Sequence, residues 1–535
     1  LSNYKKDVFL KQHCKILKKI FNSFIRFILM SNPLYETLFG KYFGHTTTFL
    51  LLPNGKTISH DSFIRMAARS ANALSEMGLS VGDRVAVQID KSPEALAVYA
   101  ACVQSGLVYL PLNAAYTPSE VSYFVEDSGA KLFICQGCKE DELAAVAEKS
   151  GAMLETLNAD GTGTFTDLTR NKDDSYNTVE RDGEDLVALL YTSGTTGRSK
   201  GAMLSQNNLL SNAQTLVDLW QFTDRDVLLH ALPIFHTHGL FVATNVTLVA
   251  GGSMIFIPKF DLDTIIENIP NASTMMGVPT FYTRLLHDPR FNKDLTRHMR
   301  LFVSGSAPLL AETHEIFEAR TGHRILERYG MTETNMNTSN PYDGERRAGT
   351  VGFPLPGVEI KITDSKTGDV LADGEIGEIE VRGPNVFSGY WQMPEKTAEE
   401  LRNDGFFITG DLGTIDSDGY LHISGRNKDV IISGGYNIYP KEIELLLDEQ
   451  PGVMESAVIG LAHPDLGEVV VGILVAEKGE TPDLDDLSII FSESLAKYKQ
   501  PRKLLIIPEL PRNTMGKVQK NILRQEYKDV LIQLD

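Results

Sequence analysis

The chain lacks what several function classes require. No run of 18 apolar residues occurs along its 535 residues, so no segment reads as a membrane-spanning helix and no stable membrane association is expected. Only four cysteines are present, too few for a disulfide framework at this length, which predicts a reducing, cytoplasmic setting. Cys135 and Cys138 make one CxxC with no second pair to complete a zinc site, so they read as structural. Positive charge is in deficit. The 51 Lys and Arg against 70 Asp and Glu give a net charge of −19, whereas a nucleic-acid binder needs a basic face. The Walker pattern, GxxxxGK followed by Ser or Thr, is also absent.

What is present is ordinary globular composition, 42% hydrophobic and 23% charged, in a chain long enough for two or more domains. Charge is unevenly spread. Residues 1–29 hold Lys5, Lys6, Lys11, Lys15, Lys18, Lys19 and Arg26 against Asp7 alone, a net +6 that leaves −25 for the remainder. Met30, followed by SNPLYETLF, reads as a natural start. The basic extension is then an upstream region that precedes the natural start, a membrane-surface helix, or a targeting segment; the last would move the protein to the mitochondrial matrix.

From about 31 to 340, apolar runs such as VAVQI, LVYLPL and KLFICQG alternate with helical patterns such as SFIRMAARSANALSEMG and EALAVYAACVQSG. This predicts an α/β fold with a largely buried sheet. A polar stretch at 158–184 reads as a surface connection. From 350 to 425 short strands and the Asp-Gly turn of IDSDGYLHI predict a β-rich module. The last hundred residues read as a small, separate α+β domain. The expected boundaries are 30–425 for the large domain, 426–430 for a hinge and 431–535 for the small domain.

The densest signal is YTSGTTGRSKG, from Tyr191 to Gly201. It follows the strand-like DLVALLYT and precedes AMLSQNNLLSNAQTLVDLW, which has helical spacing, so it reads as a strand-to-helix loop. Its glycines allow close backbone approach. Ser193, Thr195, Thr196 and backbone N–H groups can donate to phosphate oxygens, with Arg198 and Lys200 offsetting charge. Four further motifs follow in order: LFVSGSAPL (301–309), RYGMTET (328–334), FFITGDLG (406–413), with Asp411 in a turn after a strand, and ISGRNKDVIISGGYNIYPKEIE (423–444). PRNTMGKVQK (511–520) then places Lys517 in a Gly-containing turn.

This ordered set resembles the adenylate-forming superfamily of acyl-CoA synthetases, luciferases and adenylation domains, over nearly the whole chain from Met30. One departure is Ser199, where that family usually has Pro. The segments PIFHTHGL, VPTFYTRLL, ILERYGMTETNMNTSNPYDGERRAGTVGFPLPGV and PRNTMGKVQK are similar to malonyl-CoA synthetases. The resemblance implies a large α/β domain, a mobile C-terminal domain, and ATP, Mg²⁺ and coenzyme A as reactants, in a monomer or homodimer. It assigns the β/γ-phosphates to Thr192, Ser193, Gly194, Thr195, Thr196, Gly197 and Lys200, and Mg²⁺ to Glu333. It assigns the α-phosphate to Thr332. Adenine goes to Tyr329, Gly330 and Met331 with the Ser304, Gly305, Ser306 and Ala307 turn beside it. The ribose goes to Asp411 and Arg426. Lys517 would bridge the acid and the α-phosphate, Lys428 would be the hinge, and Gly434 and Gly435 would line the coenzyme A tunnel.

A dicarboxylate substrate leaves its second carboxylate inside the site, where an unpaired charge costs several kcal/mol, on the order of 3–5. Arg284 of VPTFYTRLL is the cation expected to hold it, because arginine can grip a carboxylate bidentately. Against this stands a helix-surface arginine beside Phe281 and Leu285. His236 and His238 lie two apart and would share a strand face. The resemblance places His236 at the acyl pocket near the carboxylate and leaves His238 without a role. The expected reaction is ligation of malonate, with methylmalonate as a second acid, to coenzyme A. Other readings keep the fold: another small, medium-chain or aryl acid, a separate carrier protein as acceptor, a luciferase-like oxygenase, or a non-catalytic nucleotide binder.

Overall fold

The structure is a computed structural model that describes residues 32–192, 199–434, 436–463, 466–513 and 516–530. The basic extension, residues Ser193 to Arg198 of the phosphate loop, and Gly435 lie outside the described residues.

Two sheets of α/β build form the body. One has six strands in the order Met153–Thr156, Leu132–Cys135, Arg84–Gln88, Val108–Pro111, Leu186–Thr192 and Lys200–Ser205. All pairings are parallel until the last two strands, which are antiparallel. Its strands are short, apolar and buried on both faces, as a helix-covered parallel sheet requires. The helix Pro93–Ser105 that crosses it is capped by the Ser92 hydroxyl, starts on Pro93 and ends at Gly106 with φ +70°. It is buried on all sides, with Leu96, Tyr99 and Val103 in the main core.

The second sheet has nine strands. At its centre Leu326–Met331, Leu301–Ser304, Thr274–Gly277, Val227–His230 and Ser253–Phe256 run parallel. The C-terminal ends of these strands therefore gather His230, Ser304 and Tyr329 on one edge, where open α/β sheets bind ligands. A four-stranded antiparallel sheet, Glu359–Thr363, Gly377–Arg382, Phe407–Ile415 and Leu421–Arg426, makes the β-rich module. The C-terminal part is a five-stranded sheet with the helices Pro440–Asp448, Leu484–Ser494 and Lys520–Glu526. It has its own apolar clusters around Ile443, Val458 and Leu474, and around Ile459, Ile473 and Leu523. The α/β class is as expected.

Three local expectations are corrected. The phosphate loop does not run from strand to helix: the strand that follows it, Lys200–Ser205, pairs antiparallel with Leu186–Thr192, and the helix starts only at Gln206. The apolar Ala202, Met203 and Leu204 continue the sheet because they cover the neighbouring strand, and Ser205 then caps the helix. Asp411 is not in a turn but inside Phe407–Ile415, after Gly410 at φ +70°. His236 and His238 are not on a strand: His236 lies in a loop and His238 opens a π-helix, His238–Thr244. The stretch 158–184 also contains a short helix, Thr164–Thr169.

Candidate active site

Strand ends and the turns after them bring several of the expected residues near one another. Glu333 follows the strand Leu326–Met331 in a tight turn, with the Thr334 N–H donating to the Met331 carbonyl at 3.2 Å. Its carboxylate is buried, and burial raises its pKa. Oε1 accepts from the Thr192 hydroxyl at 3.2 Å, and the Tyr390 hydroxyl also lies 3.2 Å away. A buried carboxylate of this kind fits Mg²⁺, which takes one or two protein carboxylates and completes its shell with water and substrate phosphates. Among the described residues no group of three acidic, His or Cys ligands forms a cage, so any metal here depends on the substrate for ligands.

Lys200 is held rather than free. Its Nζ lies 3.0 Å from both oxygens of Glu400 and 4.0 Å over the Tyr390 ring. Tyr390 also donates to Glu400 Oε2 at 2.6 Å, so one tyrosine touches both Glu333 and the partner of Lys200. Sequence reasoning assigned neither Tyr390 nor Glu400. They lie in GYWQMPEKTAEEL, whose surface-helix pattern carries no local sign of chemistry.

Asp411 and Arg426 face each other across antiparallel strands, with Nε 2.7 Å from Oδ1. The Tyr329 hydroxyl donates to Oδ2 at 2.6 Å, and burial pushes the Tyr329 phenol well up, so it remains a donor. A carboxylate offers about four lone-pair directions, and two remain here for a diol. Asp411→Asn is expected to raise the KM for ATP about tenfold to a hundredfold while leaving the KM for the acid nearly unchanged. The loss corresponds to a charge-assisted hydrogen bond of about 1.5–3 kcal/mol. Pyrophosphate exchange at varied ATP measures it, and an unchanged KM for ATP refutes the assignment.

The turn after Leu301–Ser304 is shaped by one close approach. A Cβ on Gly305 would overlap the Arg328 guanidinium, and Ser306 sits at φ +72° with its hydroxyl 3.1 Å from His238 Nδ1. Ala307 follows in the same turn, and Ser304 Oγ is buried without a partner among the described residues. Gly330 and Met331 end the neighbouring strand, and Thr332 begins the turn to Glu333.

Arg328 is the residue that sequence reasoning passed over. It is 3% exposed, and neither Nε nor Nη2 has a partner among the described residues. Burial pulls its pKa down to about 9, which leaves it charged at neutral pH. The signal in the sequence was an arginine inside the strand LERYGM, whose parallel neighbour LFVS is apolar but for its last residue. His236 lies between this cation and Lys517: burial, then Arg328 and Lys517, push its pKa down to about 4, so the ring is neutral. Arg284 behaves differently. It lies in the last turn of the helix Pro279–Leu286, is exposed, and stacks its guanidinium 5.8 Å from the Phe260 ring centroid, with no acidic partner among the described residues.

Lys517 reaches the cleft from the C-terminal part. Its N–H donates to Asn513 Oδ1 at 2.9 Å, and Gly516, at φ +74°, packs on Thr280 at the start of the helix that carries Arg284. The side chain keeps solvent-exposed surface, yet the surrounding protein and the nearby Arg426 pull its pKa down to about 8. Lys428 stands between two anchors. Asn427 donates to Glu378 of the β-module at 3.3 Å, and Asp429 accepts from Arg524 of the last helix at 2.7 Å. Gly434, at φ +56°, turns the chain between Ile431–Ser433 and Tyr436–Ile438.

The chain is similar to known proteins. The AMP-binding enzyme family matches residues 42–391, and the AMP-binding enzyme C-terminal domain matches 442–517. The chain is 38% identical over 481 residues to malonate–CoA ligase of Arabidopsis thaliana, covering 84% of this chain and 78% of that one. It is 35% identical over 461 residues to the mitochondrial malonate–CoA ligase ACSF3 of Bos taurus, covering 79% and 78%. The crystal structure of ATP-bound MatB from Rhodopseudomonas palustris is 57% identical with a TM-score of 0.91, over 94% of this chain and 99% of that one. No helix among the described residues is long and apolar enough to cross a membrane. The chain belongs to the AMP-binding, adenylate-forming enzyme family.

Proposed function

We propose that this protein ligates malonate, with methylmalonate as a second acid, to coenzyme A through an acyl-AMP. The observation that carries the malonate reading is the buried Arg328 guanidinium beside the Ser304–Ser306 turn, whose Nε and Nη2 have no partner among the described residues. A buried charge without a partner is costly, and a substrate carboxylate is the partner it lacks. A monocarboxylate would leave the cost in place.

One malonate oxygen attacks the α-phosphorus, and the bond to the β-phosphate oxygen breaks, so pyrophosphate leaves with that electron pair. In the second step the coenzyme A sulfur attacks the acyl carbon, the thiol proton is lost, and AMP leaves. The first step joins two anions, so positioned cations and donors supply most of the acceleration. Lys517 would sit between the reacting carboxylate and the α-phosphate, and Thr332 would donate to the latter. Arg328 would hold the far carboxylate. His236, neutral, would present a donor at the acyl group, and Arg284 would add charge at the pocket mouth. Tyr329, Gly330 and Met331 with Ser304–Ala307 would enclose adenine, and Asp411 with Arg426 would hold the ribose. The Thr192–Lys200 hairpin would cradle the terminal phosphates, with Lys200 steered by Glu400. Mg²⁺ at Glu333 would offset triphosphate charge. After adenylation, rotation at Lys428 would withdraw Lys517 and bring Gly434 and Gly435 toward coenzyme A. The same reading places the protein in the cytoplasm, or in the matrix if residues 1–29 serve as a targeting segment.

AMP formation with ATP, Mg²⁺ and coenzyme A is measured across acetate, malonate, methylmalonate, succinate, octanoate and benzoate. Malonate is expected to dominate, with methylmalonate within about 1–3 kcal/mol of it. If octanoate or benzoate dominates, the adenylate chemistry stands and the diacid reading is wrong.

A further inference from the structure

The acyl-side histidines hang on an arch, residues 231–239, and a buried lysine far off in the chain grips its first foot. Lys91 lies between the strand Arg84–Gln88 of the six-stranded sheet and the helix capped by Ser92, so its backbone is fixed on both sides. Its Nζ lies 2.9 Å from His230 Nδ1, 2.8 Å from the His230 carbonyl and 3.0 Å from the Leu232 carbonyl. Burial lowers the Lys91 pKa well below the usual lysine value, yet the two carbonyls and the ring nitrogen around Nζ match the three donors of an ammonium. The aromatic face of Phe256, 4.3 Å away, adds a cation–π contact.

The Gly239 carbonyl fixes the imidazole tautomer. It can only accept, so the ring proton is on Nε2, 2.9 Å from it and 3.2 Å from the Thr244 hydroxyl, and Nδ1 is left to accept from Lys91. Gly239 is in the first turn of the π-helix His238–Thr244, where an added Cβ would run into the Pro233 carbonyl. The arch is therefore held at 230 and 232 by Lys91 and at 239 by His230. Between these points lies His236, whose Nδ1 accepts from the His238 N–H at 3.3 Å. A single-turn π-helix is a strained feature that persists where something holds it.

We infer that Lys91 and His230 form a positioning relay that joins the two sheets and sets His236 and His238 at the acyl pocket. Neither residue touches substrate. The relay serves acid binding whatever the acid is, so it rests on the adenylation chemistry and not on the choice of malonate. It predicts a divided kinetic effect. Lys91→Met keeps length and removes all three donors. It is expected to raise the KM for the acid about tenfold, as loss of other outer-shell partners does, with the KM for ATP within about twofold of the original. His230→Gln, which keeps one acceptor and one donor, is expected to stay near the original, and His230→Phe to reproduce Lys91→Met.

The test is pyrophosphate exchange at varied acid and varied ATP on the full chain. Malonate is used, or the most active acid of the panel above if malonate is not turned over. The four proteins of the Lys91→Met and His230→Phe cycle are compared, with melting temperatures alongside. A double variant no worse than either single one, with the acid-only effect and rescue by His230→Gln, supports the relay. Additive effects overturn it, as do equal rises in both KM values that track a loss of melting temperature, or an unchanged KM for the acid. If Lys91→Met fails to fold, His230→Phe against His230→Gln decides alone by the same split.

Discussion

Lys517→Ala is expected to lower acyl-adenylate formation by about a hundredfold to a thousandfold, the usual loss when one preorganised group at a developing charge is removed. Thioester formation from added acyl-AMP and coenzyme A should survive, because Lys517 reaches the cleft only as a passenger on the C-terminal part. The structure adds a pH signature. The surrounding protein and the neighbouring Arg426 bring the Lys517 pKa down to about 8. A lysine with a lowered pKa sheds its proton earlier than an ordinary one. The kcat/KM for adenylation, which reports the free enzyme, should therefore fall as pH rises through about 8. Bound ATP and carboxylate add negative charge and favour the ammonium, so the fall in kcat should come at higher pH. In Lys517→Arg the guanidinium remains charged, and the alkaline fall should disappear even though activity is reduced. Pyrophosphate exchange from neutral to alkaline pH measures both limbs. An alkaline fall that persists unchanged in Lys517→Arg assigns the titration to another group.

Much of this was legible from residue order. The alternation of apolar runs with helical patterns states an α/β fold because strands buried on both faces are continuously apolar, and Val108–Pro111 and Leu132–Cys135 are of that kind. The cleft is less legible. Tyr329, Glu333, Asp411 and Lys517 stood out because each sits next to glycine or in a turn, where a side chain has little packing reason to be conspicuous. Arg328 did not, because a strand residue is read by its period and its neighbours, and an arginine two positions from a turn looks like a strand-end solvated charge. Only the fold shows that this strand end is covered by the Ser304–Ser306 turn on one side and by Tyr282 on another. Glu400 and Lys91 are invisible for another reason: their partners, Lys200 and His230, are far off in sequence, and pairing at such distance is set by sheet packing alone. Two of the three local corrections share one cause. Spacing alone could not tell AMLS from the first turn of a helix, or HTH from a strand, since runs this short satisfy both periods.

Arg328→Met should then separate stability from function. The side chain is 3% exposed with two nitrogens that have no partner among the described residues, so the folded protein bears the cost of a buried, poorly matched charge. Methionine fills comparable length with apolar atoms, and the variant is expected to melt at a higher temperature than the original. Its use of malonate should collapse, because the far carboxylate would now enter a pocket without its cation. Leaving one member of a buried charge pair alone costs about 2–5 kcal/mol, which corresponds to a loss in kcat/KM of roughly thirtyfold to several thousandfold. Propionate and butyrate, which bring no second charge, should gain in the same variant. Arg284→Ala is expected to do less, about threefold to tenfold, since an exposed guanidinium over Phe260 interacts through solvent and is screened. The two effects rank the cations directly: kcat/KM for malonate, propionate and butyrate is measured for each variant, with melting curves. A large malonate loss in Arg284→Ala with little in Arg328→Met would move the carboxylate site to the helix Pro279–Leu286. A lower melting temperature in Arg328→Met would mean that the guanidinium is already satisfied without substrate.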